Sequence, residues 1–122
     1  LMRTKVDKSV VMYKFRESQV PHLTRGDDYF EAVWRPAAQL NCYGEPFAEM
    51  RRRLGGLAAV DPGDEATRRA KQARVDAAAF HAYGFDGDEV EFVLADFHRV
   101  ASPRVMDDDY FQAVADAYYR LR

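Results

Sequence analysis

The sequence predicts a mainly α-helical fold, a helical bundle of about five helices preceded by one short N-terminal strand. Apolar residues recur at spacings of three and four through most of the chain, which is typical of amphipathic helices. Acidic residues, glycine and proline stand where helices would begin and end. Only one run is rich in β-branched and aromatic residues. The 122 residues are enough for a single domain with its own core.

Residues 1–25 are expected to form an extended lead-in, and residues 26–122 the helical bundle. The lead-in holds the β-rich run, which predicts a strand over about residues 9–16 that Pro21 stops. A single strand leaves its backbone groups unpaired. We therefore expect it to pair with a second copy, giving a homodimer through the exposed strand, or with a strand in a missing part of a longer protein.

The first two helices follow from apolar spacing and from their end signals. In the first, Phe30 and Trp34 begin an apolar face, and Pro36 predicts a kink or a break. In the second, Phe47, Met50 and Leu54 form an apolar stripe, and a glycine pair ends the helix. The predicted helices span residues 27–42, 45–54, 62–83, 87–97 and 107–121.

The third helix is expected to be central, because small residues at regular spacing let neighbouring helices approach closely. It starts after Asp61-Pro62-Gly63-Asp64 and stops at Gly84. Its expected inner stripe is Ala66, Ala70, Ala73, Ala77 and Phe80. A capping-box pattern, Asp86 with Glu89, opens the fourth helix. The apolar faces of the last two helices are Val90, Val93, Leu94 and Phe97, and Tyr110, Val114, Tyr118 and Leu121.

One short stretch of sequence occurs twice. Residues 27–33 read DDYFEAV and residues 108–114 read DDYFQAV, so six of seven positions are identical. The flanking residues do not match. We interpret the pair as two helix starts that use the same residues, and a true repeat is the alternative.

Composition limits the function classes. The single cysteine, Cys42, excludes an internal disulfide. No apolar run reaches the length of a membrane span and no signal peptide is evident, so we expect a cytoplasmic protein without membrane contact. Paired cysteines, a histidine pair at metal-ligand spacing and a phosphate-binding glycine loop are absent from the sequence. We expect no metal, no cofactor and no catalytic residue in this chain.

Three weaker signals each have a structural and a chemical interpretation. Cys42 fits a buried thiol better than a nucleophile, and His81 fits a hydrogen-bonded packing residue better than a ligand or base. Asp107-Asp108-Asp109 resembles a metal site but is also what a helix start attracts. The structural interpretation is favoured in all three cases.

Charge is unevenly distributed although the net charge is only −2. Basic side chains dominate residues 1–25 and 51–74, and acidic side chains dominate residues 86–122. The basic clusters are candidates for contact with DNA phosphates, and ordinary solvated surface is the alternative. The candidate DNA-backbone residues are Arg51, Arg52, Arg53, Lys5, Lys8 and Lys14.

Several stretches resemble the late part of adenine-specific DNA methyltransferases of the type IIG restriction–modification class. Three short stretches, Leu40-Asn41-Cys42-Tyr43, Glu45-Pro46-Phe47-Ala48-Glu49 and Leu54-Gly55, are together similar to a helix pair in that family. The match continues through Arg74–Phe85, with its Asp-Ala and Tyr-Gly elements, and through Asp88-Glu89-Val90 to Phe97. Gln19-Val20-Pro21 resembles the family's extended segment before its Val-Pro turn. The resemblance covers most of the chain.

The resemblance implies a C-terminal helical module of a longer protein. In that family the S-adenosylmethionine loop and the Asn-Pro-Pro element lie upstream, and neither occurs in these 122 residues. The chain alone would transfer no methyl group, whereas the parent enzyme would be a site-specific adenine N6-methyltransferase that uses S-adenosylmethionine. The implied partners are duplex DNA and the upstream methyltransferase and target-recognition domains. The alternative is a protein–protein interaction or structural module without DNA contact.

Overall fold

The computed structural model of the chain describes residues 19–98 and 107–121. Over these residues the protein is mainly helical, as the sequence predicts. The expected strand at residues 9–16 lies outside the described residues. The helices are α1 (Phe30–Asn41), α2 (Ala48–Arg53), α3 (Glu65–Ala82), α4 (Gly87–His98) and α5 (Asp108–Arg120), and a short 3-10 turn (Glu45–Phe47) precedes α2.

Helix α3 is central, as expected, with α1 packed on one side and α5 on the other, while α4 packs against α5. Ala73, Ala77 and Phe80 are buried in the core. Ala66 and Ala70 are exposed, so the expected inner stripe is wrong over the first two turns. In these turns Arg68 and Arg69, rather than the alanines, contact the neighbouring elements: Arg68 bonds to Leu40 of α1 and Arg69 to Asp107 at the start of α5.

Both ends of α3 are fixed by hydrogen bonds. Asp64 caps the start by accepting from the backbone amide of Thr67 at 3.1 Å. At the other end Gly84 adopts a φ of 76°, and the amide of Phe85 donates to the carbonyl of Phe80 at 3.0 Å. The two phenyl rings also pack, with centroids 5.7 Å apart. This is the Schellman arrangement, and it confirms Gly84 as the helix stop.

Helices α4 and α5 close the core against α3. The expected capping box opens α4: the amide of Asp86 donates to Glu89 at 2.8 Å, and the amide of Glu89 donates back at 2.9 Å. The core cluster takes one residue from α4 and four from α5, namely Val90, Tyr110, Phe111, Val114 and Tyr118.

Helix α1 differs from its prediction in two ways. It begins at Phe30 rather than near residue 27, because Tyr29 adopts a left-handed backbone conformation with φ 66°. It also continues through Pro36 to Asn41, so of the predicted kink or break the break is wrong. The Pro36 ring is buried, and we attribute the continuity of the helix to packing that offsets the lost backbone hydrogen bond. None of the helices in the described ranges is long and apolar enough to cross a membrane.

Candidate nucleic-acid interface

The three consecutive arginines lie on α2, which a tight turn connects to α1. Gly44 has a φ of 90°, and Pro46 occupies the first turn of the 3-10 segment, where its missing N–H is not needed. The far end of α2 is closed by Gly55 and Gly56, the predicted stop. The amide of Gly56 donates to the carbonyl of Arg51 at 3.0 Å.

Arg51, one of the predicted phosphate-contact residues, donates hydrogen bonds to the turn before α2. Its Nη1 donates to the carbonyl of Cys42 at 2.8 Å and to the carbonyl of Gly44 at 2.6 Å. These two carbonyls belong to the turn between α1 and α2. The guanidinium of Arg51 therefore holds α2 against the end of α1 and fixes the direction of the next two side chains.

Arg52 and Arg53 extend to the surface, where they share one carboxylate. Arg52 makes a two-pronged contact with Glu49, at 2.8 Å and 2.6 Å, and Arg53 Nε lies 3.0 Å from Glu49 Oε1. Their side chains are 71% and 75% exposed. Hydrogen bonds from Arg52, and next from Arg53, hold the pKa of the Glu49 carboxyl below its usual value. Two fixed positive charges thus face one negative charge, and one positive charge remains.

The other candidate residues belong to the N-terminal basic cluster. Lys5, Lys8 and Lys14 lie outside the described residues. On α3, Arg68 donates to the carbonyl of Leu40 at 3.1 Å. Arg69 pairs with Asp107. Both of these arginines therefore connect helices.

The remaining basic residues of α3, Lys71 and Arg74, line a shallow cleft of about 540 Å³ between α1 and α3. Acidic and basic residues line it together, including Asp27, Glu31 and Arg35. Arg35 lies 3.5 Å from Glu31. A phosphate in this cleft would meet carboxylates as well as cations, so the cleft is a poorer anion site than α2.

A larger open groove of about 780 Å³ runs between α1, α3, α4 and α5. Its polar residues serve helix packing: besides the arginines already described, Asp76 accepts a hydrogen bond of 2.5 Å from Tyr110 Oη. Leu40, Val75 and Leu94 are among its apolar lining residues. The groove follows from the way the helices diverge.

The structural interpretations of Cys42 and His81 are confirmed. Cys42 is buried, with its Sγ 3.5 Å from the Sδ of Met50. The ring of His81 stacks between Tyr29 and Tyr118, with centroid distances of 4.6 Å and 4.1 Å. Its Nε2 lies 2.8 Å from the carbonyl of Tyr118. Both residues hold elements together.

The aspartate run at residues 107–109 opens α5. Asp107 caps the helix by accepting from the amide of Tyr110 at 2.9 Å. That bond is the largest cause that lowers the pKa of the Asp107 carboxyl. Among residues 19–98 and 107–121, no group of three or more histidine, cysteine, aspartate or glutamate side chains is arranged to hold a metal ion.

Two features of α2 and the turn before it were not predicted from the sequence. Glu49 precedes Arg52 by three residues and Arg53 by four, a spacing that already indicates helical ion pairs. Phe47 and Met50 were expected to form a buried stripe, yet they are 38% and 50% exposed. Met50 nevertheless contacts the end of α1, where its Sδ lies 3.5 Å from Cys42 Sγ. Comparison with known protein families, curated proteins and solved structures yields no significant match to this chain.

Proposed function

We propose that this chain is the C-terminal accessory module of a type IIG DNA adenine methyltransferase. In this role it braces the target-recognition region and contacts the DNA backbone through α2. The enzyme as a whole would use S-adenosylmethionine, and its catalytic residues would lie in the upstream domains. The observation that carries the proposal is the arrangement of α2, in which Arg51 anchors the helix and Arg52 and Arg53 outnumber their single acidic partner.

The arrangement suits a phosphate contact. Guanidinium groups bind phosphate oxygens with geometry that they also use for carboxylates, so a phosphate replaces Glu49 without loss of donor geometry. Contacts of this kind position a protein on DNA without reading its sequence. The acidic side chains of α4 and α5 repel phosphate, so the duplex would lie on the side of α2.

The stretches on which the resemblance rests flank the three arginines and do not include them. Residues 40–55 comprise the end of α1, the turn that Arg51 holds, and α2 itself. A change in this segment would therefore redirect Arg52 and Arg53. The resemblance and the charged helix are therefore separate lines of support for the proposal.

The alternative is a protein–protein interaction module without DNA contact. The exposure of Phe47 and Met50 favours it, because exposed apolar neighbours on one helix are typical of docking surfaces. The two candidates make different predictions about salt and about which residues matter. An arginine–phosphate contact weakens steeply with salt, whereas apolar docking does not.

The test is fluorescence anisotropy of the 122-residue chain with a labelled duplex, at several salt concentrations between about 50 and 200 mM. We expect a sequence-independent Kd of about 10⁻⁴–10⁻⁶ M. Replacing Arg52 and Arg53 together by Ala should weaken binding and flatten the log–log salt slope by up to about 1.8, because each neutralised phosphate contributes about 0.9 to that slope.

The matched control is the double variant Arg35→Ala/Arg120→Ala, which removes two exposed arginines elsewhere. Circular dichroism confirms that each variant folds. An equal loss of affinity in the two double variants would assign the effect to net charge rather than to α2. Absence of duplex binding by the wild-type chain at low salt would reject DNA contact by this module alone and favour the alternative.

A further inference from the structure

Two faces of the chain carry opposite charge and exposed apolar side chains. The basic face consists of Phe47, Met50, Arg52 and Arg53. The acidic face consists of Asp88, Phe92 and Asp96 on α4. Phe92 is 73% exposed, more than any other large hydrophobic residue in the described ranges.

The acidic face is continuous along one side of α4. Its three residues are spaced by four, so they form a line along the helix. The opposite side of α4 carries Val90, which is buried in the core. Over the described ranges, no ion pair involves a residue of α4. The carboxylates that flank Phe92 are therefore open to a cationic partner.

The basic face has the complementary composition. Phe47 and Met50 are three residues apart, and Arg53 follows Met50 by three, so a cation lies next to the apolar pair. Arg52 and Arg53 retain one uncompensated positive charge, because Glu49 is their shared partner. Each face thus has an exposed apolar side chain next to charged groups, and the charges of the two faces are opposite in sign.

We propose that a second copy of this chain docks the acidic face of α4 onto the basic face of α2. Two acidic faces repel each other, and so do two basic faces, so the contact must join unlike faces of two copies. Such a heterologous contact is head-to-tail. It produces either an open chain with one free face at each end or a closed ring in which every face is occupied. The inference does not depend on DNA binding, although Arg52 and Arg53 take part in both.

The first test is analytical ultracentrifugation of the 122-residue chain from about 10 μM to 1 mM, the range in which weak complexes assemble. We expect the average mass to rise above the 14.0 kDa of the monomer as concentration increases, and to fall again as salt screens the charges. Phe92→Ser should weaken the association about tenfold or more, as expected for loss of a central anchor. Because Phe92 is exposed, this variant should fold normally.

The decisive test exchanges the charges. The variant Arg52→Glu/Arg53→Glu carries two acidic faces, and the variant Asp88→Lys/Asp96→Lys carries two basic faces. Each variant should remain monomeric alone, because its α2 face and its α4 face carry charge of the same sign and repel each other. An equimolar mixture of the two variants should associate, because the acidic α4 face of the first meets the basic α2 face of the second. The control Asp28→Lys/Glu65→Lys changes two exposed acidic residues near other helix starts and should associate like the wild type.

Three results would overturn the proposal. One is a wild-type chain that stays monomeric through the whole concentration range. Another is association that Phe92→Ser leaves unchanged, which would assign the contact to another surface, such as the predicted N-terminal strand. The third is a mixture of the two charge-exchanged variants that remains monomeric although both are folded.

Discussion

The two copies of the DDYF sequence adopt different structures. In residues 27–30 the chain forms a turn: the carboxylate of Asp27 accepts from the amide and hydroxyl of Thr24 at 2.7 Å and 3.0 Å. Tyr29 is left-handed, and the helix begins only at Phe30. In residues 108–111 all four residues are helical, and Tyr110 and Phe111 are buried.

The residue that precedes each copy accounts for the difference. Gly26 precedes the first copy with a φ of 102°, which directs the chain into a turn. Asp107 precedes the second copy and caps the helix, so Asp108 and Asp109 lie in its first turn. The same four residues therefore adopt a turn or a helix according to the residue that precedes them. Only the second copy starts a helix at its aspartates, so the interpretation of the pair as two helix starts that use the same residues is wrong for the first copy.

The largest expected contrast is between the two phenylalanines of the repeated stretch. Phe111→Ala should lower the free energy of unfolding by about 3–5 kcal/mol, because it opens a cavity in the core. Phe30→Ala should cost less than about 2 kcal/mol, because that ring is only partly buried. Urea unfolding followed by circular dichroism measures both. Equal losses would show that the two copies pack alike.

A second contrast separates the two tyrosines. Tyr110→Phe should cost about 1.5–3 kcal/mol, because it removes a hydrogen bond to the carboxylate of Asp76. Tyr29→Phe should change stability by less than about 0.5 kcal/mol, because phenylalanine keeps the ring that stacks on His81. The same unfolding measurements apply. A larger loss for Tyr29→Phe would reverse the assignment of which tyrosine is structural.

The smallest contrast concerns the two acidic residues. Hydrogen bonds from Thr24 lower the pKa of Asp27, and the one from the amide of Tyr110 lowers the pKa of Asp107. A carboxyl with a lowered pKa stabilises the fold above its ordinary pKa, and that stability is lost as the pH falls through the lowered value. Asp107→Asn should therefore reduce the acid sensitivity of thermal unfolding more than Asp27→Asn does, since only Asp107 caps a core helix.

Local signals in the sequence predicted the helices well where the capping residue is itself part of the signal. The box of Asp86 with Glu89 and the stop at Gly84 are examples, because their hydrogen bonds join residues a few positions apart. The start of α1 and the continuity through Pro36 could not be predicted in this way. The start depends on the turn after Gly26 and on the left-handed Tyr29, and the continuity depends on the burial of Pro36; apolar spacing describes none of these.

The same distinction between local signals and tertiary packing applies to α2. The pairing of Glu49 with Arg52 and Arg53 follows from spacing alone and was open to prediction. The role of Arg51 was not, because its acceptors are carbonyls of Cys42 and Gly44 that meet only when the turn forms. The exposure of Phe47 likewise depends on tertiary packing, which residue spacing does not describe.

The most direct test of the proposed DNA contact is the effect of Glu49→Gln on duplex affinity. Removing this carboxylate frees Arg52 and Arg53, so the variant should bind duplex DNA more tightly and with a steeper salt slope than the wild type. Glu31→Gln, which frees Arg35 and adds the same charge on α1, is the matched control and should change affinity much less. Equal affinities for the two variants, or weaker binding by Glu49→Gln, would contradict a phosphate contact through α2.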